Sequence, residues 1–365
     1  MQSVIKIGTR ESELAVWQAT MVKEMLEAEG HAAELVYIRS EGDIDLKTPL
    51  YEMGVQGIFT RSLDIALLNN TIDIAVHSMK DVPTQLPEGI AQAAVIKRGN
   101  HKDLFVVNGS PEQWVHEAMR EFSAEPFIEN IDGSSIRFSE LLLSYFNEFI
   151  QSLNVPSTPI FTHKPIDPFS HTPIQPYTHT LIATSSIRRK AQWLHRYPNS
   201  SIENIRGNVN TRLQKVADSS WKGAIFAAAG LERINKRPAN AIELDWMLPA
   251  PAQGAVMVVA KNESSEILSA CAKLNDAGTA LCTKVERDFL RQLLGGCSTP
   301  ISALAQIHND EIHFEGNILS LNGKEKVSVQ QTFHKKDAEE LGLKMADELL
   351  NNGGAAIAQS IRDGK

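Results

Sequence analysis

Residues 293–302, LLGGCSTPIS, put Cys297 directly behind Gly295 and Gly296. A thiolate is a nucleophile that can hold a group covalently, and two glycines leave room for one. A free cysteine is equally an ordinary core residue, so the loop alone reads as a tether or as packing. Asp81, in HSMKDVP, follows a short apolar segment that reads as a buried strand. Open α/β sheets gather ligands at the carboxyl ends of their strands, where a carboxylate can steady a cation and shuttle a proton. A turn or helix-capping aspartate is the structural alternative. Lys80 beside it can hold the acid ionised and bind a carboxylate, or be a solvated surface lysine.

Arginines recur at equivalent places. Arg188 and Arg189 follow Thr184, Ser185 and Ser186, a Ser/Thr-rich turn that opens a helix. Arg206 and Arg212 flank a second strand-to-helix turn, Arg233 follows a third, and Arg10 with Ser12 stands at the end of the first strand. Guanidinium groups bind carboxylates in a bidentate fork and stay charged, and helix N-termini favour anions. The pattern predicts a site for a small polyanion.

The elements that must position these groups alternate. Strands are expected at 3–8, 32–40, 73–78, 86–98, 103–108, 179–186, 202–206, 223–230 and 254–261, with helices near 13–29, 60–69, 188–196 and 210–218. This order predicts an α/β fold with mainly parallel sheets. From about Asp276 a helix, the Cys297 loop, strands at 301–307, 311–319 and 325–333, and a helix over 336–352 are expected. Residues 110–178 read as an insertion: helical spacing at 112–122 and 138–153, then a passage with six prolines at 155–177 that excludes a continuous helix. His163, His171 and His179 there have no zinc-ligand spacing and read as surface histidines, and no metal is expected. Trp17 and Trp193 read as packing residues on helices, and His77 as a core-edge histidine.

Composition narrows the classes. The chain has 365 residues, 42% hydrophobic and 22% charged, which suits a globular protein of two or three domains. Its net charge of −8 argues against a nucleic-acid binder, and no apolar run is long enough to span a bilayer. The N-terminus lacks export features, and the three cysteines, Cys271, Cys282 and Cys297, form no disulfide framework. A cytoplasmic location is expected.

Four segments taken in order, IGTRESELAVWQA (7–19), AVHSMKDVP (75–83), ATSSIRR (183–189) with IRGNVNTRL (205–213), and the Cys297 loop, resemble the porphobilinogen deaminase (hydroxymethylbilane synthase) family. The resemblance implies three domains: two periplasmic-binding-protein-like (type II) α/β domains around a cleft and a smaller α/β C-terminal domain. Their expected bounds are 1–101 with 252–272, then 102–251, then 273–365. It implies stepwise deaminative condensation of porphobilinogen onto a dipyrromethane cofactor attached by a thioether to Cys297, then hydrolytic release of hydroxymethylbilane. Asp81 would be catalytic. Arg10, Ser12, Ser78, Lys80, Thr184, Ser186, Arg188, Arg189, Arg206, Arg212, Arg233 and Gln253 would touch cofactor or substrate. It also implies a monomer that binds neither nucleic acid nor membrane and hands its product to uroporphyrinogen-III synthase. Gln56, Arg61, Ser62, Ala183 and Leu294 depart from the family pattern. A non-enzymatic anion-binding protein with the same cleft is the rival class; a ligand-sensing regulator would need a basic helix-turn-helix pattern, which is absent.

Overall fold

The computed structural model describes residues 4–39, 60–109, 128–129, 135–136, 181–293 and 299–363. Cys297 with its two glycines and Leu294, Gln56, and the expected helices and proline-rich passage of 110–178 lie outside the described residues. The chain begins with β1 (Ile5–Thr9), α1 (Glu13–Ala28), β2 (Ala33–Tyr37), α2 (Arg61–Leu68), β3 (Ile74–Ser78), a 3-10 turn at Met79–Asp81, and β4 (Ile90–Ile96). It continues through β5 (Asp103–Val107), β6 (Ile128–Glu129), β7 (Ser135–Ile136), β8 (Leu181–Ala183), α3 (Ile187–Arg196), β9 (Ser201–Glu203), α4 (Val209–Asp218), β10 (Gly223–Ala227), α5 (Ala228–Glu232) and β11 (Ala241–Glu243). Then come β12 (Val256–Lys261), α6 (Ser265–Ala272), α7 (Ala277–Gln292), β13 (Ile301–His308), β14 (Glu311–Leu319), β15 (Lys326–His334), α8 (Leu341–Leu349) and α9 (Ala355–Arg362).

Strand residues that are apolar in succession must face a core on both sides of a sheet. That is what VMVVA and IAV do: Val256, Val258, Ala260, Ile74 and Val76 pack with α1 and α6 on one face, and Met257, Val259 and Ala75 with α2 on the other. The resulting sheet has the order β2-β1-β3-β12-β4. A second sheet, β11-β5-β10-β8-β9, is split the same way, with Leu104 and Val106 on one face and Phe105 and Val107 on the other. Each sheet combines two parallel with two antiparallel pairings, so the expectation of mainly parallel sheets is corrected. The cause is the chain path. β12 returns from the second sheet and inserts antiparallel between β3 and β4, while β5 runs against both its neighbours.

The third sheet is an antiparallel β13-β14-β15 meander covered by α7, α8 and α9, with Phe289 and Phe314 edge-on at 5.1 Å in its core. The helix expected over 336–352 is a 3-10 turn at Lys335–Asp337 followed by α8; the segment Leu350–Gly354, where Gly353 takes φ +107°, then joins α8 to α9. Asn351-Asn352-Gly353-Gly354 is a poor helix former, and only glycine enters that φ freely. The strand expected over 223–230 stops at Ala227, because Ala228–Glu232 turns helical. Among the described residues no helix is long and apolar enough to cross a membrane.

Two crossings join the first two sheets, and they are tied to each other. Gly99 N donates to Gly254 O at 3.0 Å, and Gln253 Nε2 donates to His101 O at 2.8 Å. Gly254 has φ +86°, and a Cβ there would meet the Gly99 carbonyl at 2.9 Å. Glycine is therefore required at this close backbone approach.

Candidate active site

The site assembles where strands of the first two sheets end. β3 closes on Ser78, and the 3-10 turn that follows carries Lys80 and Asp81, anchored by buried Met79. Met79 N donates to Ala255 O at 3.0 Å, which fixes the turn against the residues entering β12. Ser78 Oγ exchanges hydrogen bonds with the buried Gln18 amide at 3.0 and 3.3 Å. His77, just inside, is buried with Nε2 lacking a hydrogen-bond partner. Burial, reinforced by Arg10, pulls its imidazole down to about 4, so it is neutral at ordinary pH.

The second sheet supplies the cations. β8 runs into Thr184-Ser185-Ser186 and then α3. Ser186 is the N-cap and accepts from Arg189 N at 3.4 Å, and Thr184 Oγ1 accepts from Ser186 N at 3.3 Å. Ser185 Oγ accepts from Ile205 N at 3.0 Å and donates to Ile205 O, locking this turn to the next. There Arg206 is buried, Asn208 caps α4, and Arg212 Nε donates to Gly207 O at 2.7 Å. Arg233 follows α5, donates from Nη2 to Gly254 O at 2.6 Å, and lies over the Trp17 ring at 5.8 Å. Trp17 is therefore an exposed partner of a cation rather than a packing residue, while Trp193 is buried against Phe105. Ser12 caps α1, its Oγ accepting from Ala15 N at 3.4 Å.

Asp103, which sequence reasoning passed over, organises the arginines. It is fully buried, ion-paired to Arg188 Nη2 at 2.7 Å and accepting from Arg189 Nε and Nη2 at 3.0 and 2.8 Å. Gln253 Nε2 adds a fourth bond at 2.9 Å. Burial alone pushes this carboxyl up, but the two guanidiniums and the amide outweigh it and bring it to about 2. Arg188 Nη1 also donates to Leu248 O at 2.8 Å, and its buried Nε has no hydrogen-bond partner. Arg188, Arg189 and Gln253 are thus one network, and Ser12 and Ser186 spend their hydroxyls on helix caps.

The two halves feel each other's charge. Lys80 is pulled down to about 8, first by burial, with Arg189 and Arg188 adding to this and Asp81 and Asp103 opposing it. Arg212 is pulled to about 10 by burial and then by Arg189 and Arg206, with Asp81 opposing. Direct contacts join the halves as well: Asn210 Nδ2 donates to Glu13 Oε2 at 2.7 Å, and Lys236 pairs with Glu13 at 3.2 Å. Around Asp81, five cations (Lys80, Arg188, Arg189, Arg206 and Arg212) face two carboxylates, Asp81 and Asp103, among the groups named in these couplings.

The family model described as "Porphobilinogen deaminase, dipyromethane cofactor binding domain" matches residues 5–152 and 169–269. A second, "Porphobilinogen deaminase, C-terminal domain", matches 280–351. The chain belongs to the porphobilinogen deaminase family. The break in the match, 153–168, falls inside the expected 110–178 insertion. A porphobilinogen deaminase of Syntrophomonas wolfei is 32% identical over 357 residues, covering 97% of either chain. Among solved structures, the periplasmic VFT2 domain of Bordetella pertussis BvgS (double mutant F375E/Q461E) aligns with TM-score 0.35 and 11% identity over 74% of this chain and 86% of that one. The methionine-binding protein MetQ aligns with TM-score 0.34 and 10% identity over 74% and 89%.

Two more residues of the site escaped the sequence reading. Glu286 and Arg287 lie on α7, yet Glu286 reaches Arg98 and Ala252 on the two crossings, and Arg287 reaches the turn after β3. Glu286 is fully buried, pairs with Arg98 at 2.6 Å, and accepts from Ala252 N at 2.6 Å and Ala305 N at 2.8 Å. A carboxylate between Cys282, Val285 and Phe289 on one helix face was the legible signal.

Proposed function

We propose that this chain is a hydroxymethylbilane synthase, a transferase of tetrapyrrole and haem biosynthesis. It condenses porphobilinogen stepwise onto a dipyrromethane primer held as a thioether on Cys297, then releases linear hydroxymethylbilane by hydrolysis. Beyond family membership, one observation supports this: the surplus of positive charge around the Asp81 turn. Buried cations that depress one another are stabilised by an incoming polyanion. Acetate and propionate groups on pyrrole rings are such a polyanion, and the unpartnered Arg188 Nε is a donor in reserve. The residues present therefore fit a dipyrromethane. Arg188, Arg189, Arg206, Arg212 and Lys80 would hold its carboxylates, with Arg10, Arg233, Thr184, Ser78 and Gln253 around them.

When bound, the dipyrromethane supplies a pyrrole carbon as the nucleophile. Asp81 does the work of charge. Its carboxylate faces the substrate pyrrole N–H, steadies the cation that forms as ammonia leaves, and exchanges the proton at its Oδ atoms. Lys80 and Arg212 keep that carboxylate within a cationic field and orient the substrate's own acids. Asp103 does not enter the chemistry; it sets the guanidinium planes of Arg188 and Arg189. The same reading makes the protein a cytoplasmic monomer whose product passes to uroporphyrinogen-III synthase.

The test is the intact mass of protein purified from cells that make porphyrin precursors. Added dipyrrole mass, lost in Cys297→Ser, is expected, together with porphobilinogen consumption and absorbance of oxidised uroporphyrin. Asp81→Ala should fold yet lose nearly all condensation. An unmodified mass with no turnover refutes the assignment.

A further inference from the structure

The Asp81 turn is held from outside its own sheet. Arg287, on α7 of the C-terminal unit, donates from Nη1 to Val82 O at 2.9 Å and Met79 O at 3.4 Å. Its Nη2 donates to Pro83 O at 2.6 Å. All three carbonyls belong to the five residues, Met79–Pro83, that contain Lys80 and Asp81. A guanidinium is the one side chain whose fixed fork can bind several carbonyls of a single turn. Burial pulls Arg287 down to about 10, with Asp288 opposing, so it stays charged at working pH. The nearby carboxylate is already engaged, since Asp288 binds Lys284 at 2.7 Å and Arg291 at 2.9 Å.

One helical position earlier, Glu286 grips Ala252 N and Arg98, while Arg98 Nε donates to Gln253 O at 2.7 Å. Gln253 is the residue that braces Asp103. Helix α7 therefore grips two turns at once, the one bearing Asp81 and the one behind the Arg188–Arg189 pair. It ends at Gln292, five positions before Cys297 in the sequence.

We propose that Arg287 is a positioning residue: it sets Asp81 relative to the guanidinium cluster from helix α7. This rests on the function proposed above. The three bonds fix the turn's backbone, so their loss lets Asp81 and Lys80 drift while the guanidinium cluster on the second sheet keeps its own bonds. Misplacement of about 1 Å costs on the order of 100-fold in rate. Arg287→Gln holoenzyme is expected to carry the dipyrrole mass at parental occupancy and to lose about 10- to 100-fold in kcat per loaded site, with KM for porphobilinogen changing less than kcat because four of the five carboxylate-binding cations stay in place. Arg287→Lys, able to reach one carbonyl but not three, should fall between.

A merely structural arginine would lower the melting temperature and the loaded fraction while leaving kcat per loaded site unchanged; that result overturns the proposal. Should Arg287→Gln not fold, Arg287→Lys decides alone: parental kcat per loaded site refutes positioning. The parent is the control for the underlying function. An unloaded, inactive parent sinks both proposals, whereas an active parent matched by Arg287→Gln sinks this one only.

Discussion

Replacing Asp103 by asparagine keeps the shape of a fully buried side chain and removes the carboxylate charge that pairs with both Arg188 and Arg189. The amide can accept from one guanidinium, but its NH2 then points at another. The carboxyl sits at about 2 against an ordinary 3.8, so its ionised form contributes about 2–3 kcal/mol at neutral pH. Leaving buried guanidiniums without this counter-ion costs about 3–5 kcal/mol. A loss of that order is the expected result at pH 7, read from urea unfolding of parent and variant. The pH dependence is the sharper test. A carboxyl depressed in the folded state contributes fully above its unfolded value near 3.9, and the contribution disappears as pH falls through about 2, with about half gone by pH 3. The gap between parent and Asp103→Asn should therefore narrow by about 1 kcal/mol between pH 7 and pH 3. A gap that stays constant, or a variant as stable as the parent at pH 7, would refute the claim that Asp103 is the ionised hub of the network.

Glu286→Gln should destabilise by about 3–5 kcal/mol, since it breaks a buried pair that also holds two backbone N–H groups. A thermal melt that coincides with the parent's would count against that. Because Lys80 gives up its proton near pH 8, kcat/KM for porphobilinogen should fall as pH rises through that value. Lys80→Arg, which stays charged, should lack this limb, while kcat changes less because a bound carboxylate keeps the lysine protonated. Persistence of the limb in the arginine variant would clear Lys80. Gly254→Ala forces a Cβ against the Gly99 and Asn100 carbonyls at φ +86° and should cost about 1–3 kcal/mol in thermal unfolding.

Most elements were legible because local pattern and tertiary demand agree. Ser12, Ser186 and Asn208 are polar caps in front of amphipathic helices, and all three cap in the structure. The apolar runs around Val76, Phe105 and Val258 had to be strands with cores on both sides. Pairing direction was not legible. Nothing local distinguishes a strand that returns antiparallel, as β12 does, from one that extends a parallel sheet. The helix expected over 336–352 stops just before Gly353, where the Asn-Gly run breaks it, but it opens only at Leu341, after a 3-10 turn. Arg188 and Arg189 stand out in the sequence as anion ligands, but their buried counter-ion Asp103 lies 86 positions from Arg189 and claims part of their charge.

By itself the sequence determined which chemistries are available: a carboxylate after a buried strand, arginines after three others, a cysteine behind two glycines, and motifs that mark the family. Those follow from residue type and local spacing, which no folding step alters. Only the tertiary structure decided how the charges pair. Coulombic coupling depends on distances and burial set by crossings between sheets, so Asp103 against two guanidiniums, Lys80 depressed by Arg189, and Arg287 on the Asp81 turn appear only once three sheets are packed together.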